Sequence, residues 1–338
     1  MLLKVSLYTT RRLSSSSLRN NFKPSFNVEK IPDLKMKEHV DLEWKQWLPN
    51  KVKLDKRATP VLFLHGLYGG KASFNKVGRN LSEHLVTPVY SVDLRNHGDS
   101  PHALPHSYMS MAHDVARFIQ ERQWANCVLV GHSMGAKVAM LVSLLHPDLI
   151  SKLVVMDNTP HSKPLGRAFY ESLLGMCELE AGGIDFGAVG SPPALGSGDD
   201  HRRKQVTKTT VVDEFLSKYE KDASVRQLLL SNFRYKWKGN GITSDGKHGE
   251  AFQIPVLNFW KHDVIDAMSS WPVLEVAQFT KPVLVMYGKE SSFVKERYRS
   301  IFEEYFTDLE FVGFDTGHWI YSEQPAQCTK VLSKFISG

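Results

Sequence analysis

Residues Gly131-His132-Ser133-Met134-Gly135 lie between the apolar run Cys127-Val128-Leu129-Val130 and the stretch Ala136-Lys137-Val138-Ala139-Met140-Leu141-Val142. The first run reads as a buried strand and the second as a helix. The turn joining them is too tight for side chains at either end, so both ends are glycine. Strand, G-x-S-x-G and helix in that order is the context of a nucleophile elbow. The elbow lifts the serine hydroxyl out of the sheet edge and aims the helix N-terminus, with its favourable dipole, at a reacting centre. Small residues Ala136 and Ala139 let the helix pack closely behind it. The bland alternative is a strand-to-helix turn that carries no chemistry.

A serine hydroxyl is a poor nucleophile at neutral pH and needs a general base. Behind an elbow of this kind the acid and the histidine follow in chain order. Six histidines follow Ser133: His146, His161, His201, His248, His262 and His318. His146 falls at a helix end, and the next four fall in a long insertion. His318 stands in Thr316-Gly317-His318-Trp319, just past the strand-like stretch Leu309–Phe314. A histidine on the loop after the last strand can reach over the serine, so His318 is the expected base. For the acid, the slot after the strand Pro282–Gly288, where an aspartate often stands, holds Ser291. One strand earlier, Leu153-Val154-Val155-Met156 runs into Asp157, at the strand end where such sheets place catalytic groups. Asp157 is the expected acid, with Glu290 and then Asp315 as alternatives and a simple turn cap as the structural reading. The oxyanion hole should use the backbone N–H of Met134 and that of Leu67, in the loop His65-Gly66-Leu67-Tyr68-Gly69-Gly70 after the strand Val61–Leu64. Those glycines could also suggest phosphate binding, but Lys71 is not in P-loop spacing.

These residues resemble the alpha/beta hydrolase superfamily. Leu94-Arg95-Asn96-His97-Gly98-Asp99-Ser100, Gly131 to Met140, Val155-Met156-Asp157-Asn158 and Val225 to Asn232 narrow the likeness. Together they resemble a mitochondrial abhydrolase group that includes yeast-type ethanol acetyltransferases and related esterases of animals, over roughly residues 40 to 337. The resemblance implies a mostly parallel central sheet flanked by helices, with a largely helical lid inserted after the strand ending near Asp157. It implies a triad acid at the position of Asp157. It also implies acyl transfer from acetyl-CoA to an alcohol, accompanied by ester and thioester hydrolysis. Acetyl-CoA is then an acyl-donor substrate, and no permanently bound cofactor is expected. The partners expected are small molecules, an acyl donor with an alcohol or water. A non-catalytic binding module built on the same fold is the reading from another class.

Net charge is +6, but Lys4, Arg11, Arg12, Arg19 and Lys23 all precede the first acidic residue, Glu29. Without those five the remainder carries +1, so a nucleic-acid-binding face is not expected. The acid-free leader, with Ser14-Ser15-Ser16-Ser17, arginines and leucines, has the composition of a mitochondrial transit peptide over residues 1–20. A linker over 21–38 and a single domain over 39–338, with its lid at about 159–280, complete the expected organisation. No apolar run approaches bilayer length. Cys127, Cys177 and Cys328 lack metal spacing. His97, His102 and His106 lie close in sequence without the cysteines or carboxylates a metal site would add. His201-Arg202-Arg203-Lys204 reads as a solvated charged loop, although its charge would also suit CoA phosphates.

Overall fold

The computed structural model describes residues 16–50, 58–182, 208–234, 251–272, 274 and 277–338. They form two compact units. One comprises the described parts of Lys35–Pro164 and Ala267–Gly338, and the other those of Ser14–Leu34 and Leu165–Asp266.

The first unit is built on seven strands: β1 (Trp44–Trp47), β2 (Val61–Leu64), β3 (Val89–Val92), β4 (Cys127–His132), β5 (Ile150–Met156), β6 (Val283–Gly288) and β7 (Leu309–Phe314). They form one sheet in the order β1-β3-β2-β4-β5-β6-β7. Only β1 runs antiparallel, against β3; the other pairings are parallel. Val61, Phe63, Val128, Val130, Val154 and Met156 point to one face. There they meet Phe74, Val77 and Leu81 of one helical region, and Cys328 and Leu332 of the last helix, Pro325–Ser337. The alternating neighbours Leu62, Leu129 and Val155 are also fully buried. Burial on both faces explains why these strands read as continuous apolar runs instead of alternating ones. The helix Tyr108–Glu121 buries Tyr108, Met111, Val115 and Phe118, which recur at helical spacing. It packs against the post-elbow helix Met134–Leu145.

The loop after β3 is fixed by Arg95, whose side chain is wholly buried. Its Nε donates to Asp114 Oδ2 at 2.6 Å and its Nη2 to Oδ1 at 2.8 Å, while Nη1 donates to the Pro105 carbonyl at 2.8 Å. A buried guanidinium is tolerable only with this degree of satisfaction.

The second unit contains the helices Arg167–Gly182, Lys208–Leu216, Ala223–Ser231 and Val256–Lys261. The stretch read as a linker divides between the units. Through Leu34 it is docked in the second unit, where Lys261 Nζ donates to the Ile31 carbonyl at 2.7 Å and Asn258 Nδ2 to the Pro32 carbonyl at 3.2 Å. Residues 1–15, residues 52–55 and the basic run 201–204 lie outside the described residues. Among the described residues, no helix is long and apolar enough to cross a membrane.

Candidate active site

The register of the sheet decides which residues meet. His132 pairs with Met156, and Met156 with Met286. The next residues along β4 and β5, Ser133 and Asp157, therefore leave the sheet side by side. Their backbone N–H groups continue the ladder, Ser133 N to the Met156 carbonyl at 2.9 Å and Asp157 N to the Met286 carbonyl at 2.8 Å. Both then turn sharply, Ser133 with φ 53° and Asp157 with φ 52°. Positive φ at residues with a side chain is strained and persists only where surrounding structure enforces it. At Ser133 that structure is a close approach of backbones. A Cβ on Gly131 would lie 2.2 Å from the Gly135 carbonyl oxygen, and one on Gly135 would lie 2.4 Å from that of Leu64. The expectation that side chains cannot fit the ends of this turn thus has a specific steric basis.

His318 Nδ1 donates to Asp157 Oδ2 at 2.6 Å. Asp157 is fully buried, whereas the His318 side chain is 15% exposed. The other oxygen of Asp157 accepts from Gly288 N at 3.3 Å. Ser291, in the slot where an aspartate often stands, donates its hydroxyl to Asp157 Oδ2. The carboxylate on β5 and the hydroxyl after β6 therefore share the support of one histidine. The loop carrying His318 crosses the end of β6 at Gly288, where a Cβ would lie 1.9 Å from the Gly317 carbonyl oxygen. Glu290 is exposed, and Asp315 is engaged by Lys289 Nζ at 2.7 Å. Of the three carboxylates weighed as the acid, Asp157 is the one that His318 meets in a hydrogen bond.

Neighbouring rings, Trp319 edge-on at 5.6 Å on centroids among them, hold the His318 ring. Phe293 stacks on it, with centroids 4.3 Å apart and planes inclined by 21°. His132, the residue before the serine, lies 4.7 Å away on centroids and donates from Nε2 to the His318 carbonyl at 2.9 Å. Burial holds the His132 ring well below the ordinary histidine range, which keeps it a neutral donor.

Gly66 brings the loop expected to supply an oxyanion amide close to the serine: a Cβ there would lie 3.0 Å from Ser133 Cβ. Leu67 and Met134 are both buried. The loop is tied to its neighbour by two histidines. His65 Nε2 accepts from Leu94 N at 2.9 Å, and its Nδ1 donates to the Gly66 carbonyl at 2.8 Å. His97 Nε2 accepts from Tyr68 N at 3.3 Å, and its Nδ1 donates to the Arg95 carbonyl at 3.0 Å. A backbone N–H at Nε2 fixes the proton on Nδ1 in each ring. Burial pushes both rings down from the ordinary histidine value, and pushes His106 down to about 3. Of the close-set histidines of the sequence, His97 and His106 thus serve as neutral acceptors, from Tyr68 N and from Asn96 Nδ2, and as ring neighbours 5.6 Å apart. Among the described residues no group of His, Cys, Asp and Glu is assembled to hold a metal ion. Lys71, the residue tested for P-loop spacing, is bound to Asp93 and to Asp99.

Acid sensitivity follows from these rings. Unfolded, each titrates near 6.5; folded, each is held lower, and His106 at about 3. The unfolded chain therefore binds more protons between about pH 6.5 and 3. Stability is full above that window and is lost as pH falls through it, by up to about 1.4 kcal/mol per pH unit for each such histidine. Thermal melts should show a marked fall in Tm between about pH 7.5 and about pH 5. A flat Tm across that range would mean that these rings protonate in place.

The chain matches the alpha/beta hydrolase fold family over residues 59–174. It is 33% identical over 321 residues to a probable alcohol acetyltransferase of Cyberlindnera jadinii, covering 91% of this chain and 85% of that protein. It is 31% identical over 347 residues to ethanol acetyltransferase 1 of Kluyveromyces marxianus, covering 97% of this chain and 87% of that protein. Among solved structures, a marine microorganism esterase superposes with a TM-score of 0.68 at 25% identity, covering 88% of this chain and 99% of that one. Likeness of this extent along nearly the whole length settles the family: the chain belongs to the alpha/beta hydrolases, in the group that includes the yeast alcohol acetyltransferases.

Proposed function

We propose that the protein is a serine-dependent alcohol O-acetyltransferase, making acetate esters from acetyl-CoA and an alcohol, with esterase and thioesterase activity from the same intermediate. The observation that carries this reading is the hydrogen bond from His318 Nδ1 to Asp157, at the end of the strand beside the one that presents Ser133. With its proton held on Nδ1, the neutral ring offers Nε2 as base. Ser133 Oγ attacks the thioester carbonyl as its proton passes to His318. The amides of Met134 and Leu67 receive the negative charge on the carbonyl oxygen. The intermediate collapses with loss of the CoA thiol, which takes the proton from His318. An alcohol then gives its proton to His318, attacks the acetyl-serine, and leaves as the ester while Ser133 regains the proton. Water or a thiol in place of the alcohol gives hydrolysis or exchange.

The acetyltransferase names of relatives at 31% and 33% identity support the transfer reading. A second reading, a plain hydrolase of short acyl esters, is favoured by the likeness to a marine esterase. The two differ only in what attacks the acyl-enzyme, and bulk water at roughly 55 M is a strong competitor unless the site limits it. We also propose mitochondrial residence, from the acid-free leader alone. Incubating the purified enzyme with acetyl-CoA and ethanol, and measuring ethyl acetate against free acetate, decides between the readings. Ethyl acetate as a major product is expected. Acetate alone would leave the hydrolase, and no turnover with either a thioester or a simple ester would remove the enzyme.

A further inference from the structure

Among the described residues, the catalytic-histidine side of the first unit carries positive charge that no carboxylate pairs with. Lys163 Nζ lies 5.4 Å from the centroid of Phe293, the ring stacked on His318. Its Nζ donates to the Ser292 carbonyl at 2.5 Å, a neutral acceptor that leaves the charge in place. The Arg297 guanidinium lies 4.9 Å from the Tyr298 centroid and donates from Nη2 to the Tyr298 hydroxyl at 3.0 Å. His161 is against the same ring, with centroids 5.9 Å apart. The Arg297 hydrogen bond, with Lys163 and Arg297 as nearby charges, draws the Tyr298 phenol below its ordinary range. Lys163 is also felt one helical turn beyond the serine. Burial pushes Lys137 down to about 7, and the charge of Lys163 adds to that effect.

Of the nearby cations, Lys295 and Lys137 also meet only carbonyls, those of Lys289 and Ser270, whereas two others are paired. Lys289 is paired with Asp315 at 2.7 Å, and Arg299, two residues past Arg297, is paired with Glu296 at 2.9 Å. Among the described residues neither Lys163 nor Arg297 has a carboxylate partner. Cations left unpaired beside a cleft that must receive substrate raise the local concentration of an anionic one. Lys163 sits within about 10 Å of the imidazole, measured through the intervening Phe293 ring. Arg297 continues the charge along the chain past Tyr298 and is exposed.

We propose that Lys163 and Arg297 form the receiving edge for the phosphates of a coenzyme A thioester. This inference rests on the acetyl-CoA reading above and assigns that donor a binding edge. A CoA thioester carries its charge on phosphates at the far end of a neutral pantetheine arm. An edge of cations steers that end while the acyl group reaches the serine. Arg297 can grip a phosphate through a fork of N–H donors, and Lys163 acts as a point charge nearer the histidine.

The test compares two donors with the same acetyl thioester, acetyl-CoA and acetylpantetheine, which lacks the phosphates. The kcat/KM ratio of acetyl-CoA to acetylpantetheine is measured for wild type, Lys163→Ala, Arg297→Gln and the double variant, at low and high salt. The ratio should fall roughly tenfold in the double variant, mainly through KM, and the wild-type ratio should fall with added salt. Equal losses on both donors would assign these residues to support of the site and overturn the proposal. An unchanged ratio would overturn it too and leave the phosphates to other parts of the chain. Loss confined to esters whose acyl group bears a carboxylate would overturn it by showing that the edge reads the acyl chain instead. If wild type turns over short neutral esters but not acetyl-CoA, it is the donor reading that fails, a result distinct from any of these.

Discussion

Ser133→Ala is expected to abolish covalent labelling by a fluorophosphonate probe and to lower turnover of a short acyl ester by about 10⁴-fold or more. Without an oxygen at this position no acyl-enzyme forms, and the residual rate comes only from the oxyanion amides and substrate binding. The fold should persist. The conformation with φ 53° is imposed by the close approach of Gly131, Gly135 and Leu64, and alanine meets the same backbone constraint as serine. The bond that Asn158 Nδ2 makes at 3.0 Å is to the Ser133 carbonyl, which the substitution keeps. A thermal melt close to that of wild type, with labelling gone, is the expected pair of observations. Near-normal turnover by a folded Ser133→Ala protein would remove the serine mechanism altogether.

The elbow is readable because all its determinants are local: two glycines that backbone must approach, and flanks of opposite periodicity. His318 and Asp157 are readable by a weaker rule, chain order and position at strand ends. What brings them together is the register of β5 with β6 and of β6 with β7, which pairs Met156 with Met286 and Gly288 with Phe314 across a long stretch of intervening chain. No local pattern encodes such a pairing. Ser291 marks the limit. Its place in the slot of the usual acid is visible, but its hydroxyl bond to Asp157 depends on that long-range register. His132 and Gly288 carry no signal of their own. Each matters because the His318 loop crosses it, by a hydrogen bond at His132 and by steric exclusion at Gly288.

The same distinction explains the histidines near residue 100 and the segment before residue 35. Absence of cysteine and carboxylate partners is enough to set aside a metal at His97, His102 and His106. Nothing local says that His97 accepts the Tyr68 N–H and so steadies the loop that carries Leu67. Residues 21–34 lack a regular apolar period, so they read as linker. They dock partly through side chains, Phe22 on Tyr170 and Asp33 with Lys261 and His262, and partly through backbone groups, such as the Ile31 and Pro32 carbonyls, that meet the side chains of the distant Lys261 and Asn258. A carbonyl leaves no trace in residue type. Sequence thus reports most clearly the features held by local sterics and side-chain chemistry, and least clearly those held by backbone acceptors.

Asp157→Asn should cut turnover by about 10³- to 10⁴-fold, the range expected when an amide replaces the carboxylate that orients a catalytic imidazole. The carboxylate accepts from His318 Nδ1, from Ser291 and from Gly288 N, and it is wholly buried. An asparagine offers one oxygen for these donors and turns an NH₂ group toward at least one of them. If that group faces His318, the ring must accept at Nδ1 and place its proton on Nε2, the tautomer that cannot take a proton from Ser133. Glu290→Gln should cost less than about tenfold. Glu290 is exposed, and the bond it makes, from its backbone N–H to the Thr316 carbonyl at 3.2 Å, survives the substitution. Both purified variants would be assayed on a short acyl ester, with thermal melts to separate lost chemistry from lost fold. A crippled, folded Glu290→Gln beside a mildly affected Asp157→Asn would move the acid to the loop after β6. The His318–Asp157 bond would then be structural, and the serine's base would take its orientation from a carboxylate that reaches it only when substrate is bound.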